Sequence, residues 1–144
     1  MSRCNDKTLF ICFVLINVLK VRPDEHPLYM GVEPSIESFK AMVSEGADES
    51  LDIVSMELSN DVYIIYAPMA HFAGCEANRK VNGEIISGTF VIVGVDEHTL
   101  PVSLTDDQVW EYYKRFRIPE NYSYTEVLDN WIANLEKEID EMAV

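Results

Sequence analysis

His71 and Cys75 stand four residues apart, a spacing that on a helix puts two side chains on one face as a metal pair. A zinc site wants about four ligands, and no third or fourth lies at a matching spacing. Pro68 and Gly74 also make this segment a poor helix. A loop histidine beside a buried cysteine is therefore the expectation, with no metal and no cofactor. His26 and His98 are isolated loop histidines flanked by acidic residues, and neither has a nucleophile or partner at triad spacing. Carboxylate pairs abound (Asp24-Glu25, Asp48-Glu49, Asp96-Glu97, Asp106-Asp107), but in so acidic a chain neighbouring carboxylates are expected by chance. The glycines match neither a P-loop nor a dinucleotide fingerprint. No catalytic residue stands out, and the chain reads as a non-enzyme.

The cations are more telling because they are few. Twenty-five Asp and Glu face eleven Lys and Arg, a formal charge of -14. Ala41–Asn78 holds seven carboxylates and no cation, Val81–Tyr113 six and none, and Ile118–Val144 seven against Lys137 alone. Beyond the N-terminal Arg3, Lys7, Lys20, Arg22 and Lys40, positive charge collects in two islands, Arg79-Lys80 and Lys114-Arg115-Arg117. If the islands meet, they form a candidate anion site. Ion pairing and the negative end of a helix dipole also explain them. The candidate acidic interaction face comprises Asp96, Glu97, Asp106, Asp107, Glu136, Glu138, Asp140 and Glu141.

So negative a surface repels nucleic acid and anionic membrane, because phosphate binding needs cations to displace counterions. A basic protein surface is the partner it suits. At 144 residues, 48% hydrophobic and 25% charged, the chain has the composition of one globular domain. No repeat or low-complexity linker divides it. Three cysteines, Cys4, Cys12 and Cys75, make no even set, so a reducing, cytoplasmic setting is expected. The apolar run Leu9–Ile16 behind Arg3 and Lys7 has the general shape of a secretory signal. No small-residue cleavage site follows it, and it falls far short of the roughly 20 residues that span a bilayer, so a buried strand is the better reading.

The expected fold class is α+β: a mixed or antiparallel sheet of about five strands flanked by three helices. Leu9–Val21 reads as a long first strand, Pro23–Pro27 as a turn and Leu28–Val32 as a returning strand. Pro34–Glu45 is an amphipathic helix, with Pro34 in its first turn and Gly46 as terminator. Asp52–Leu58 and Val62–Ala67 are strands around Ser59-Asn60-Asp61. Pro68–Gly83 is irregular, Glu84–Val95 one strong strand, and His98–Val102 a loop. Thr105-Asp106-Asp107-Gln108 is a capping box that opens a helix over Asp106–Phe116, with Val109, Trp110, Tyr113 and Phe116 as its apolar face. Ser123-Tyr124-Thr125-Glu126 repeats the pattern and opens a terminal helix to about Met142. Ser123 is better used as that cap than as the acceptor motif Asn121-Tyr122-Ser123. The stripe Tyr124, Leu128, Trp131, Leu135, Ile139, Met142 is expected to pack on the core or to dock on a second copy as a homodimer.

Several segments in order carry a resemblance: Leu19-Lys20-Val21-Arg22-Pro23, the helix after Pro34, Val62-Tyr63-Ile64-Ile65-Tyr66, Asn78-Arg79, Gly88-Thr89-Phe90-Val91-Ile92-Val93-Gly94, and Ser103-Leu104-Thr105-Asp106-Asp107-Gln108. Together, from Ile16 to Phe116, they are similar to domain of unknown function 3846, a family of Firmicutes, their phages and mobile elements. The loop Pro68–Glu76 departs from the family pattern, and the terminal helix lies outside it. The resemblance brings no catalytic residue. It implies a mobile-element context, in which small acidic proteins often bind a host component.

The functional expectation is thus a non-enzymatic acidic interaction protein of a phage or mobile element, inhibiting a host nucleic-acid-binding or defence protein by charge mimicry. The alternative is a small-ligand binder that grips a nucleotide or other anion with Arg79 and the Lys114-Arg115-Arg117 island. A third reading, a hydrolase using the His71 loop and a carboxylate, has the least support.

Overall fold

The computed structural model describes residues 14–143. Residues 1–13, with Cys4, Cys12 and most of the apolar run Leu9–Ile16, lie outside the described residues. The chain runs β1 (Ile16–Val21), β2 (Leu28–Val32), α1 (Ile36–Val43), β3 (Val54–Ser59) and β4 (Val62–Tyr66). A 3-10 turn (Ala70–Ala73) leads to β5 (Ala77–Val81), β6 (Glu84–Ser87), β7 (Phe90–Val95), β8 (Pro101–Val102), α2 (Asp106–Phe116) and α3 (Tyr124–Met142).

Six strands form one antiparallel sheet in the order β2-β1-β7-β4-β3, with β8 also pairing on β7. The two-residue period of a strand sorts its side chains between two cores. Val18, Val91, Val93 and Ile65 pack with Phe39, Met42 and Val43 of α1 on one face. Leu19, Val21, Ile64, Phe90 and Ile92 pack on the other with Tyr112 and Phe116 of α2 and with Val81 and Ile86 of the β5–β6 hairpin. The rings of Phe90 and Phe116 meet edge to face at 5.5 Å, a geometry worth about 1 kcal/mol beyond the area buried. The α+β reading with three helices holds, and helix α3 lies along β6 outside this sandwich.

Several boundaries differ from expectation for identifiable reasons. Glu84–Val95 is two strands in two sheets, because Gly88 takes φ +75 and turns the chain through a corner few side chains adopt. Its amide donates to Glu76 O at 2.7 Å. The supposedly irregular Pro68–Gly83 contains β5, whose return to β6 is a two-residue turn with positive φ at both Asn82 and Gly83. Pro101–Val102 is a short strand rather than loop. Pro34 stands before α1, and Ser35 caps the helix by accepting from the Ser38 amide at 3.1 Å. Both predicted capping boxes form, at Thr105–Gln108 and Ser123–Glu126.

Two apolar faces differ from expectation. In α2, Trp110 is 66% exposed and Tyr112 is buried in its place. In α3, the stripe is not a core face: only Val127 is buried, while Tyr124, Leu135, Ile139 and Met142 are exposed, Met142 at 83%.

Candidate functional site

Arg79, first of the candidate anion ligands, is fully buried. Its guanidinium has five N–H donors, and five bonds consume them. Nε and Nη2 donate to Phe116 O at 3.1 and 2.7 Å, Nη2 also to Glu25 O at 2.6 Å, and Nη1 to Arg22 O at 3.1 Å and Asn78 Oδ1 at 2.8 Å. Burial pulls this group below its ordinary pKa, while Glu120 and Asp24 pull the other way. It stays charged, because an arginine does not lose its proton in a protein. Arg79 therefore has no donor left for an anion, and its positive charge faces the carbonyl end of α2. Asn78 completes the joint by donating to Val21 O at 2.9 Å and Gly88 O at 2.8 Å.

The two basic islands do converge on this helix end, but around a carbonyl. Lys114, Arg115 and Arg117 are exposed beside it, and Arg115 reaches Asn82 Oδ1 at 3.5 Å. Lys80 is exposed on β5, where its amide donates to Glu120 Oε1 at 3.0 Å.

A second charged joint closes the same end of the sheet. Lys20 is only 6% exposed and pairs with Glu45. Arg22 Nε donates to Glu45 Oε1 at 3.0 Å, and Thr89 Oγ1 to the same oxygen at 3.3 Å. Burial would raise the Glu45 pKa, but the bonds from Arg22 and Lys20 together hold it below the usual range. The bond and charge of Glu45 in turn raise Arg22.

The eight candidate interaction carboxylates fall into two groups. Asp96 and Glu97 in the β7–β8 turn line one cleft with Asp61, Thr105 and Gln108, and Asp106 and Asp107 open α2 beside it. Amide bonds from Leu100 and His98 to Asp96 lower its pKa. Glu136, Glu138, Asp140 and Glu141 ride the last turns of α3, and Glu138 comes close to Tyr66. Val62 and Tyr66 mark opposite ends of β4, about 13 Å apart at the rise of a strand, so the two groups sit at opposite ends of the sheet.

Beneath α3 two clefts of about 290 and 340 Å³ share His71 and Val127 as a common wall. The larger also meets Asp24, Glu76, Ser87 and Tyr122. The smaller is lined by Tyr66, Glu84, Trp131 and Glu138. The His71, Phe72 and Trp131 rings form a triangular cluster, with centroids 4.1 Å (His71–Phe72), 5.7 Å (His71–Trp131) and 5.3 Å (Phe72–Trp131) apart. Burial lowers the His71 pKa and so keeps the ring neutral. Burial also raises Glu84, with the Tyr66 hydroxyl bond opposing and Glu138 adding to the rise. Asn130 fixes this wall by accepting from the Ile85 amide at 2.9 Å and donating to Gly83 O at 2.9 Å. The Cys75 thiol is buried, donates toward Glu45 O, and has its pKa raised by burial. No group of three or more His, Cys, Asp or Glu able to hold a metal occurs among the described residues.

Glu45, Tyr66, Glu84, Ser87 and Trp131 carry no sequence signal of a site. They are single polar or aromatic residues in separate segments: the packing of α3 and the hairpin brings Tyr66, Glu84, Ser87 and Trp131 to the clefts, and Glu45 reaches Lys20 and Arg22 from beyond α1.

These features define an α+β protein whose most buried cations serve as structural joints and whose clefts beneath α3 are acidic and aromatic. Residues 16–117 match the family described as Domain of unknown function (DUF3846), and the chain belongs to that family. No curated protein and no solved structure matches it. Helix α3 lies beyond the matched residues. No helix among the described residues is long and apolar enough to cross a membrane.

Proposed function

We propose that this protein is a non-enzymatic interaction protein that presents an acidic surface to a basic partner. In the mobile-element setting its family implies, the partner is a host nucleic-acid-binding or defence protein whose phosphate-binding groove the carboxylates occupy by charge mimicry. The observation that carries the reading is the outer end of α3. From Glu136 to Ala143 every side chain is exposed, four are carboxylates, and only Lys137 opposes them. Exposed Leu135, Ile139 and Met142 run beside those charges. Apolar contact supplies affinity there and the carboxylates supply steering and selectivity. The same charge density disfavours pairing of two copies along this segment, so a basic partner suits it better than a homodimer.

Arg79 is withdrawn from the rival anion site by its five bonds, and the remaining cations surround the negative end of a helix. The acidic reading is tested by binding to basic nucleic-acid-binding proteins across a salt series. Saturable binding that weakens steeply with salt, and weakens further in Glu136→Gln/Asp140→Asn/Glu141→Gln, is expected. Absence of binding at low salt overturns it.

A further inference from the structure

We propose that the double cleft beneath α3 is a binding site for an extended organic cation, in which ammonium or guanidinium groups are strung on an alkyl chain. Every charged side chain lining the two clefts is a carboxylate: Glu84 and Glu138 in one, Asp24 and Glu76 in the other. Tyr66 and Trp131 in the first cleft and Tyr122 in the second supply aromatic surface beside those charges. Carboxylates and aromatic rings in two adjoining clefts match a cation that alternates charge with methylene, through ion pairing and cation–π contact.

Two orphaned polar atoms point the same way. His71 and Ser87 are 6% and 4% exposed, both belong to the cleft walls, and His71 Nε2 and Ser87 Oγ have no partner. Buried polar atoms are rarely left unpaired, and an exception calls for an occupant. A hydroxyl, and an imidazole in the tautomer that leaves Nε2 without a proton, accept from N–H donors such as those of an ammonium or guanidinium. The raised pKa of Glu84 is the expected mark of carboxylates held near one another and out of water, a state that a bound cation relieves.

This site lies on the side of α3 that faces the hairpin; it shares Leu135 and Glu138 with the acidic end of that helix but does not rest on the reading of that end. Free polyamines and the Lys or Arg side chains of a protein share the chemistry, and the test separates them. The protein has two tryptophans, and Trp110 is exposed on α2, so Trp110→Phe leaves Trp131 as a fluorescence probe inside the cleft. Spermidine and agmatine form one arm, and short Lys- and Arg-containing peptides the other. Saturable quenching by at least one arm is expected, with affinity falling at least tenfold in Glu84→Gln and unchanged in Asp140→Asn/Glu141→Gln. Quenching by the amines alone identifies a free polyamine as ligand, and by the peptides alone a partner's side chain. Because Gln copies the neutral carboxyl, Glu84→Gln should fold, and its thermal melt verifies that. No saturable signal from either arm overturns the proposal. So does equal loss in the Asp140→Asn/Glu141→Gln variant, since binding would then follow total charge. Failure here with salt-dependent partner binding intact removes the cleft site and leaves the function standing.

Discussion

The Arg79 guanidinium and the Phe116 carbonyl are joined by two hydrogen bonds, at 3.1 and 2.7 Å, that fasten the hairpin to the last residue of α2. Replacing Arg79 with Lys offers at most three donors on a more compact, rounder head. Several buried carbonyls would lose their partner, each at about 1–3 kcal/mol. We expect Arg79→Lys to cost at least about 3 kcal/mol by urea denaturation, and Lys114→Gln, on the exposed side of the same helix end, to lie within about 0.5 kcal/mol of the parent.

Glu45 holds the buried Lys20, so Glu45→Gln leaves a cation that is 6% exposed without its counter-charge. Removing one partner of a buried pair costs about 3–5 kcal/mol. Because Glu45 is itself about a third exposed, the expected loss is nearer about 2 kcal/mol. The folded-state pKa of Glu45 is lowered from 4.5, so its contribution is present above that pH and lost as pH falls below it. Acid melts of the parent should show this loss, and those of Glu45→Gln should lack it.

His71 titrates in a separate window. Burial lowers its folded-state pKa from 6.5, so the unfolded chain binds the proton first as pH falls. Stability should be level with respect to this group above about pH 6.5 and decline below it. A His71→Gln variant should show a flatter profile between pH 7 and pH 5.5; an unchanged slope would remove His71 as its source.

Gly88 turns the chain out of one sheet and into the other at φ +75. An added Cβ would also lie 3.2 Å from that of Cys75. Gly88→Ala should cost about 1–2 kcal/mol from the left-handed backbone alone, and more if Cys75 does not give way. The companion Cys75→Ala/Gly88→Ala removes only the thiol, 3.3 Å from the added Cβ, so it should recover the part due to that sulfur and leave the contact with the Cβ of residue 75, readable from the two thermal melts.

Along α3, Val127 is buried and Met142 is 83% exposed. Val127→Ala should destabilise by about 1–3 kcal/mol, as core truncations do, and Met142→Ser by less than about 0.5 kcal/mol. Equal effects would mean that the stripe packs on the core after all.

Local chemistry was legible in the residues themselves. Thr105-Asp106-Asp107-Gln108 and Ser123-Tyr124-Thr125-Glu126 set two helix starts, because a cap is a contact between residues three apart. The β-branched run Val62–Tyr66 set a strand for a similar reason. The charge map, too, was plain as a one-dimensional pattern. Only the tertiary structure decided which cations were free to act. Arg79 looked like an anion ligand until Phe116, 37 positions away, proved to take its donors. Nor does spacing say whether an apolar stripe meets a core: α2 buries Tyr112 and exposes Trp110, and α3 leaves most of its stripe in water. Backbone periodicity and caps are settled among near neighbours. The clefts, the buried joints and the exposed stripe depend on contacts between distant segments, which the order of residues along one segment does not encode.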